Sequence, residues 1–390
     1  MNNNVTHYHH RDRFTWLAYL LLAFYGYFVN ILGPITPFLK DELGLSYTVS
    51  SLHFSAFAAG MLAAGLGGHL IVQRIGRRRA LWVGAFGLSL GAALLILGRA
   101  APLTIGAAFL MSLVGSLILV IIPSALSDQH GEARAVAISE ANVVASLFSM
   151  AAPLMVGWSI SWFGDWRLAL GLAALTALLL YFGFRTAVPA QAAAHEDESA
   201  AQEGLPSLYW VYWVAILLGV SLEFCMVSWS ADYLTKSLSL PRADAAQAVS
   251  IFLAAMIIGR WAASRLVRSF AARRVVLGYI LTTAAGFALF WLTSRAASVL
   301  VGLFVTGLGI AGLYPLLLSM ALGVSGTNTT QASARATLAS GSAILALPLV
   351  LGRLADMVGI HQAYGVVIVL LVSLFTLVLA AGSRTRGVRL

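Results

Sequence analysis

Apolar residues in this chain come in long blocks separated by short polar stretches, and that alternation predicts its elements. A helix crossing a bilayer needs about 20 mostly apolar residues. Twelve stretches meet the requirement, at roughly 15–39, 49–72, 80–98, 102–126, 136–160, 168–186, 207–234, 245–267, 274–293, 297–322, 333–357 and 362–382. Several contain helix breakers, such as Gly33, Pro34 and Pro37 in the first. A membrane tolerates them where neighbouring helices or a cavity satisfy the freed backbone groups. The pattern predicts an all-α integral membrane protein with twelve transmembrane helices. One longer polar stretch, 187–206, separates the sixth block from the seventh and carries Glu196, Asp197, Glu198 and Glu203. It reads as a flexible or partly helical linker between a six-helix half at 1–186 and another at 207–390.

Composition agrees. Hydrophobic residues make up 60% of the chain and charged ones 10%, against about a quarter charged in a soluble domain. The 24 Lys and Arg exceed the 15 Asp and Glu, for a net charge of +9. In a soluble protein that excess would suggest nucleic acid; here it reads as topology. Arg11, Arg13, Arg74, Arg77, Arg78, Arg79, Arg134, Arg185, Arg265, Arg268, Arg273, Arg274, Arg384, Arg386 and Arg389 fall on one side. Lys40, Arg99, Arg167, Lys236, Arg242 and Arg295 fall on the other. The positive-inside rule then puts both termini in the cytoplasm, with the chain in a bacterial inner membrane. The polar stretch Met1–Arg13 precedes the first block without a cleavage-type region, so no removed signal peptide is expected. Cys225 is the sole cysteine, which excludes an intrachain disulfide and argues against a Cys-based metal site.

The halves repeat one another. Pro153-Leu154 with Gly157 and Gly164 recurs 195 residues later as Pro348-Leu349 with Gly352 and Gly359. The same offset relates Arg78-Arg79 to Arg273-Arg274, Phe57 to Phe252 and Met61 to Met256. Arg, Pro and Gly pairs at one ungapped offset predict two halves of like orientation, related by a pseudo-two-fold axis along the membrane normal. Such a repeat places a substrate site near the midplane between the halves, opened alternately by rocking.

With this architecture, the loop after the second span, Gln73-Arg74-Ile75-Gly76-Arg77-Arg78-Arg79, resembles the major facilitator superfamily, whose motif there is G-x-L-A-D-R-x-G-R-R/K. The family's Gly is His69 here and its Asp is Gln73. Trp166-Arg167, entering the sixth span, also resembles the family. The resemblance covers the whole chain and implies alternating access, with Gln73, Arg74, Gly76, Arg77 and Arg78 in a gating loop. Gly259-Arg260 followed by Arg268-Ser269-Phe270-Ala271, and Gly307-Leu308-Gly309 with Pro315, resemble the fucose–proton symporter branch. Where that branch carries acids in its first and fourth spans, this chain has Asn30 and the apolar run Leu117–Ile122.

A charge at the bilayer centre costs at least a few kcal/mol, so each intramembrane ionisable group asks for a reason. Glu223 lies mid-way along the seventh span. A desolvated carboxyl can load and release a proton, so Glu223 is the first candidate for proton coupling; the alternative is a structural carboxylate paired with an Arg or hydroxyl. Glu140, in the fifth span, lies 195 residues before Arg335, so symmetric positions carry opposite charges. Both are candidates for an inner gate, with Arg260 as a partner for Glu140, or for helix-end charges reaching the loop. Arg260 can also clamp an anion bidentately or brace the adjacent basic loop. Arg353 and Asp356, three apart, form a candidate local helix pair. Tyr25, Tyr27, Asn30, His53, Asn142, Trp229, Tyr233 and Tyr314 offer hydrogen bonds or ring faces to a polar solute, or bond one another between helices.

No HExxH or P-loop motif occurs, so an enzyme is not expected, and neither is a cofactor or a resident metal. The expectation is a secondary transporter acting as a monomer in the lipid bilayer, its partners a small-molecule substrate and protons, with no nucleic acid. Within that class, proton-coupled uptake of a small polar organic solute, sugar-like or a small carboxylate, competes with proton-antiport efflux of drugs or metabolites and with facilitated uniport. The antiporter motif Gly-Pro-x-x-Gly-Gly is reduced here to Ala152-Pro153-Leu154-Met155-Val156-Gly157, which favours uptake.

Overall fold

The computed structural model describes residues 11–188, 204–326 and 328–386. Met1–His10, the linker acids Glu196, Asp197, Glu198 and Glu203, Arg389, and the side chains of Arg384 and Arg386 lie outside the described residues.

Regular structure among the described residues is helical throughout: α1 (Arg13–Glu42), α2 (Tyr47–Ile75), α3 (Arg77–Leu97), α4 (Ala101–Gly115), α5 (Leu117–His130), α6 (Arg134–Phe163), α7 (Arg167–Phe184), α8 (Ser207–Leu238), α9 (Arg242–Ser269), α10 (Ala272–Leu292), α11 (Ala296–Ala311), α12 (Leu313–Gly323), α13 (Thr329–Val358), α14 (Ile360–Ala363) and α15 (Val366–Arg386). Among the described residues, eleven helical stretches are long and apolar enough to span. One of them, Ala101–Phe163, runs to 63 residues and turns back at Gly131, whose φ of +50° suits glycine. It therefore holds two passes, for twelve in all.

Two predicted spans are broken rather than continuous. The fourth divides into α4 and α5 at Ser116, the tenth into α11 and α12 at Gly312. The breaks are one residue off the 195-residue repeat, and each is braced by a tyrosine. Tyr25 Oη lies 3.0 Å from Ser116 Oγ, and the Tyr279 ring packs so closely on Gly312 that a Cβ there would sit 2.6 Å from it.

The chain gathers into two compact units. The first comprises 11–31, 59–152 and 167–188; the second comprises 32–58, 153–166 and the residues from 204 onward. Their edges cut α1 after Ile31, α2 after Ala58 and α6 before Pro153. Within the second unit, the ends of α1, α2 and α6 furthest from the basic loops pack against α8, α9 and α13. Glycine permits the approach at three places: Gly33 against the Val227 carbonyl, Gly157 against Ala243 and Gln247, and Gly352 against Tyr47 and Ser51. Pro348 inside α13 frees backbone groups, and nearby carbonyls find side chains. Ser55 Oγ donates to Leu345 O at 2.6 Å and Ser51 Oγ to Pro348 O at 2.8 Å.

Candidate functional site

The second unit holds a charge pair inside apolar helices. Arg260 Nη2 on α9 lies 3.7 Å from Glu223 Oε1 on α8. Tyr314, one residue into α12, is hydrogen-bonded to Ser340 and lies within electrostatic reach of Glu223. The break at Gly312 starts α12 just before Tyr314, so the irregular span sets this phenol within the electrostatic reach of Glu223. At 3.7 Å the pair is looser than a charge-assisted hydrogen bond of about 2.7–2.9 Å. The guanidinium is close enough to balance the carboxylate and not locked to it.

The sequence offered Arg260 as a partner for Glu140, and in the structure each has another. Glu140, in the first unit, accepts from Arg11 Nη2 at 2.5 Å, Arg11 Nε at 2.9 Å and Tyr19 Oη at 2.8 Å. A fork of planar donors matches a carboxylate better than a lone long-range contact does. Arg335, its counterpart in the repeat, lies 5.3 Å over the Trp210 ring, while Trp213 Nε1 donates to the Arg335 carbonyl at 2.8 Å.

The other predicted contacts are distributed through both units, and most are satisfied locally. In the first, Tyr27 Oη donates to Ala169 O at 2.9 Å. Asn30 and Asn142 donate to their own helices, at Gly26 O and Ile138 O. In the second, buried His53 has Nδ1 3.0 Å from Ser50 O, and Trp229 Nε1 donates to Pro348 O at 3.3 Å. Tyr233 Oη lies 3.2 Å from His361 Nδ1. In the basic loop, Gly76 adopts φ +81° between α2 and α3. Arg77 reaches Asp128 of α5 at 2.6 Å, Arg78 binds the Arg185 carbonyl, and Gln73 and Arg74 are exposed. A cavity of about 640 Å³ between α3, α4 and α7, walled by Trp82, Phe86, Leu90, Leu110 and Tyr181, is apolar and carries none of the candidate residues.

Two acids escape a reading by composition. Asp356 does not pair with Arg353; its carboxylate caps α2, accepting from the Tyr47 and Thr48 N–H groups at 2.7 and 2.8 Å and from Thr48 Oγ1 at 2.5 Å. Asp232 of α8 is 1% exposed and accepts from Tyr47 Oη at 2.6 Å. The burial-cost argument that singled out Glu223 applies equally to Asp232. It stands near the end of the seventh span, four residues before Lys236, where an acid is ordinarily interfacial.

The family model described as Major Facilitator Superfamily matches residues 18–322. Protein TsgA of Salmonella arizonae is 27% identical over 305 residues, covering 76% of this chain and 73% of TsgA. Among solved structures, a bacterial homologue of the human lysosomal transporter Spinster, inward-facing and occupied, superposes with a TM-score of 0.80 at 14% identity, over 96% of this chain and 97% of that one. A D-xylose–proton symporter gives 0.73 at 16% identity, over 95% and 96%. The nucleoside transporter NupG gives 0.73 at 16%, over 95% and 98%. At such identities these structures speak for the fold.

Proposed function

The chain belongs to the major facilitator superfamily, and from that premise we propose that it couples uptake of a small carboxylate-bearing solute to a proton by alternating access. It is an integral membrane transporter, not an enzyme. The proposed topology has both termini cytoplasmic, with halves 1–186 and 207–390 rocking about the linker and a single chain as the working unit.

The observation that carries the reading is the loose Arg260–Glu223 pair. With Glu223 ionised, the guanidinium is neutralised and has little affinity left for an anion. A proton on Glu223 frees Arg260, whose planar fork matches a carboxylate. Proton and substrate then favour each other's binding by the same factor, which is the reciprocity that symport requires. Tyr314 supplies a phenol to orient the solute at the same place. A neutral sugar-like solute would gain nothing from the released cation, so the pair favours the carboxylate.

The test is substrate-evoked proton flux in proteoliposomes loaded with a pH dye and offered small carboxylates, sugars or lipophilic cations in turn. Carboxylates are expected to acidify the lumen, and Glu223→Gln to lose accumulation while keeping exchange. Full accumulation by that variant rejects Glu223 as proton carrier. Proton release driven by the cations, with silence from the carboxylates, rejects uptake in favour of efflux.

A further inference from the structure

The second unit holds another carboxylate that the Arg260–Glu223 reading does not use. Asp232 Oδ2 accepts the Tyr47 phenol at 2.6 Å, but its Oδ1 is buried with no hydrogen-bond partner among the described residues. Cations stand close by and are engaged elsewhere. Lys40 Nζ is 3.2 Å from Asp41, Lys236 Nζ 4.0 Å from it and Arg242 Nη2 2.6 Å from it. All three converge on the more exposed Asp41 and leave the buried acid without an ion pair among the described residues. The Tyr47 ring holds this arrangement. Lys40 sits 4.5 Å over its face, Asp232 takes its hydroxyl, and Trp229 packs 5.2 Å away. The remaining ionisable neighbours are the Tyr364 phenol, which donates to the Cys225 carbonyl at 3.2 Å and interacts electrostatically with Asp232, and Asp356, held on the Tyr47 backbone N–H.

An ionised carboxylate buried against one phenol is an expensive object, whereas a neutral carboxyl costs far less to bury. Tyr47 belongs to the segment of α2 whose contacts with α8 and α13 must separate if the end opposite the basic loops opens.

We propose that Asp232 is a second proton-binding site: it is ionised and faces water when this end is open, and it carries a proton on Oδ1 when Tyr47 closes over it. The proton comes from the water on that side and returns to it on reopening. The proposal rests on the transport reading for the existence of an open state, and on nothing about Glu223. Acid on that side drives closure. One proton taken up on closing changes the closed-to-open ratio by on the order of tenfold per pH unit while the group titrates.

The experiment measures closure itself. Spin labels at Leu52→Cys on α2 and Ser237→Cys on α8, with Cys225→Ser removing the native thiol, report the separation of the two helices in nanodiscs by pulsed electron resonance. Between about pH 8 and pH 5.5 the short-distance fraction is expected to rise. Asp232→Asn, a permanently neutral isostere, is expected to hold it high at both values. Tyr47→Phe keeps the ring and removes the one hydrogen bond to the carboxylate, so closure depends more on the proton and its midpoint moves to lower pH. A wild-type shift that survives intact in Asp232→Asn, or an unmoved midpoint in Tyr47→Phe, overturns the proposal. Glu223→Gln separates the two readings: it is expected to lose accumulation and to keep this shift. Were it to accumulate fully, the Glu223 assignment would fall and the Asp232 site would stand.

Discussion

Gly157 and Gly352, 195 residues apart, do the same thing in the second unit. Each lets its own helix approach the start of another so closely that a Cβ would stand 2.6 Å from the Ala243 carbonyl in one case and 2.7 Å from the Tyr47 carbonyl in the other. Residues 243 and 47 are themselves 196 apart, so the internal repeat reappears as a pair of matching helix crossings, α6 on α9 and α13 on α2. Overpacking a close contact costs about 1–3 kcal/mol, or roughly tenfold to hundredfold in a conformational equilibrium. Gly352→Val is therefore expected to depopulate the state containing the crossing. The spin-label pair described above should show a longer mean distance, and uptake should fall. An unchanged distance distribution would mean that the crossing does not hold that state together.

Asp356 caps a helix to which it does not belong. Its carboxylate takes two of the four unbonded N–H groups at the start of α2, a position where a negative charge also meets the positive end of the helix dipole. Loss of a cap costs about 0.5–2 kcal/mol. Asp356→Ala is expected to lower the midpoint of thermal unfolding in detergent by a few degrees, and Arg353→Ala to leave it nearly unmoved. Equal effects would restore the local pair expected from spacing.

Arg77 and Asp128 join the basic loop to the end of α5 at 2.6 Å, with 16% and 10% of their side chains accessible. Removing one partner of a buried pair leaves the other charge uncompensated, at about 3–5 kcal/mol, a range that partial accessibility reduces here. The double variant should destabilise by less than the sum of the Arg77→Ala and Asp128→Ala effects. A double-mutant cycle on unfolding midpoints measures the coupling, and strict additivity would remove the pair from any account of the loop.

Asp12 caps α1 through Oδ1, which accepts from the Thr15 N–H at 2.8 Å and from Thr15 Oγ1 at 2.6 Å. Burial alone would raise its pKa, but these bonds, one from Gln129 and the charge of His130 together hold it below the usual carboxylate value. A depressed folded-state pKa gives stability that is present above the unfolded value of about 3.9 and is lost as pH falls through the folded one. Asp12→Ala should thus cost about 1 kcal/mol at pH 7 and progressively less as pH falls below about 4. A penalty constant from pH 7 to pH 3 would show that the charge plays no part.

The spans, their number and the helical class were legible because the bilayer imposes a one-dimensional rule: about 20 apolar residues per crossing, read directly along the chain. The repeat was legible too, since Pro, Gly and Arg pairs at one offset stand out against a background of Leu and Ala. Glu223 and Arg260 could each be picked out by the cost of burying a charge, a property of a residue and its position in a span. Partnership is not such a property. That Arg260 meets Glu223, that Arg11 and Tyr19 take Glu140, and that Asp356 caps α2 depend on which helices pack together and at what rotation. Asp232 shows the boundary most clearly. Its identity and its four-residue spacing from Lys236 describe an ordinary interfacial acid, and only the packing of α1 and α2 against α8 buries it while three cations gather on Asp41. The sequence by itself determined what must enter the membrane, because that is a local balance of transfer free energies; the tertiary structure decided which charges compensate one another, because that depends on distances between segments far apart in the chain.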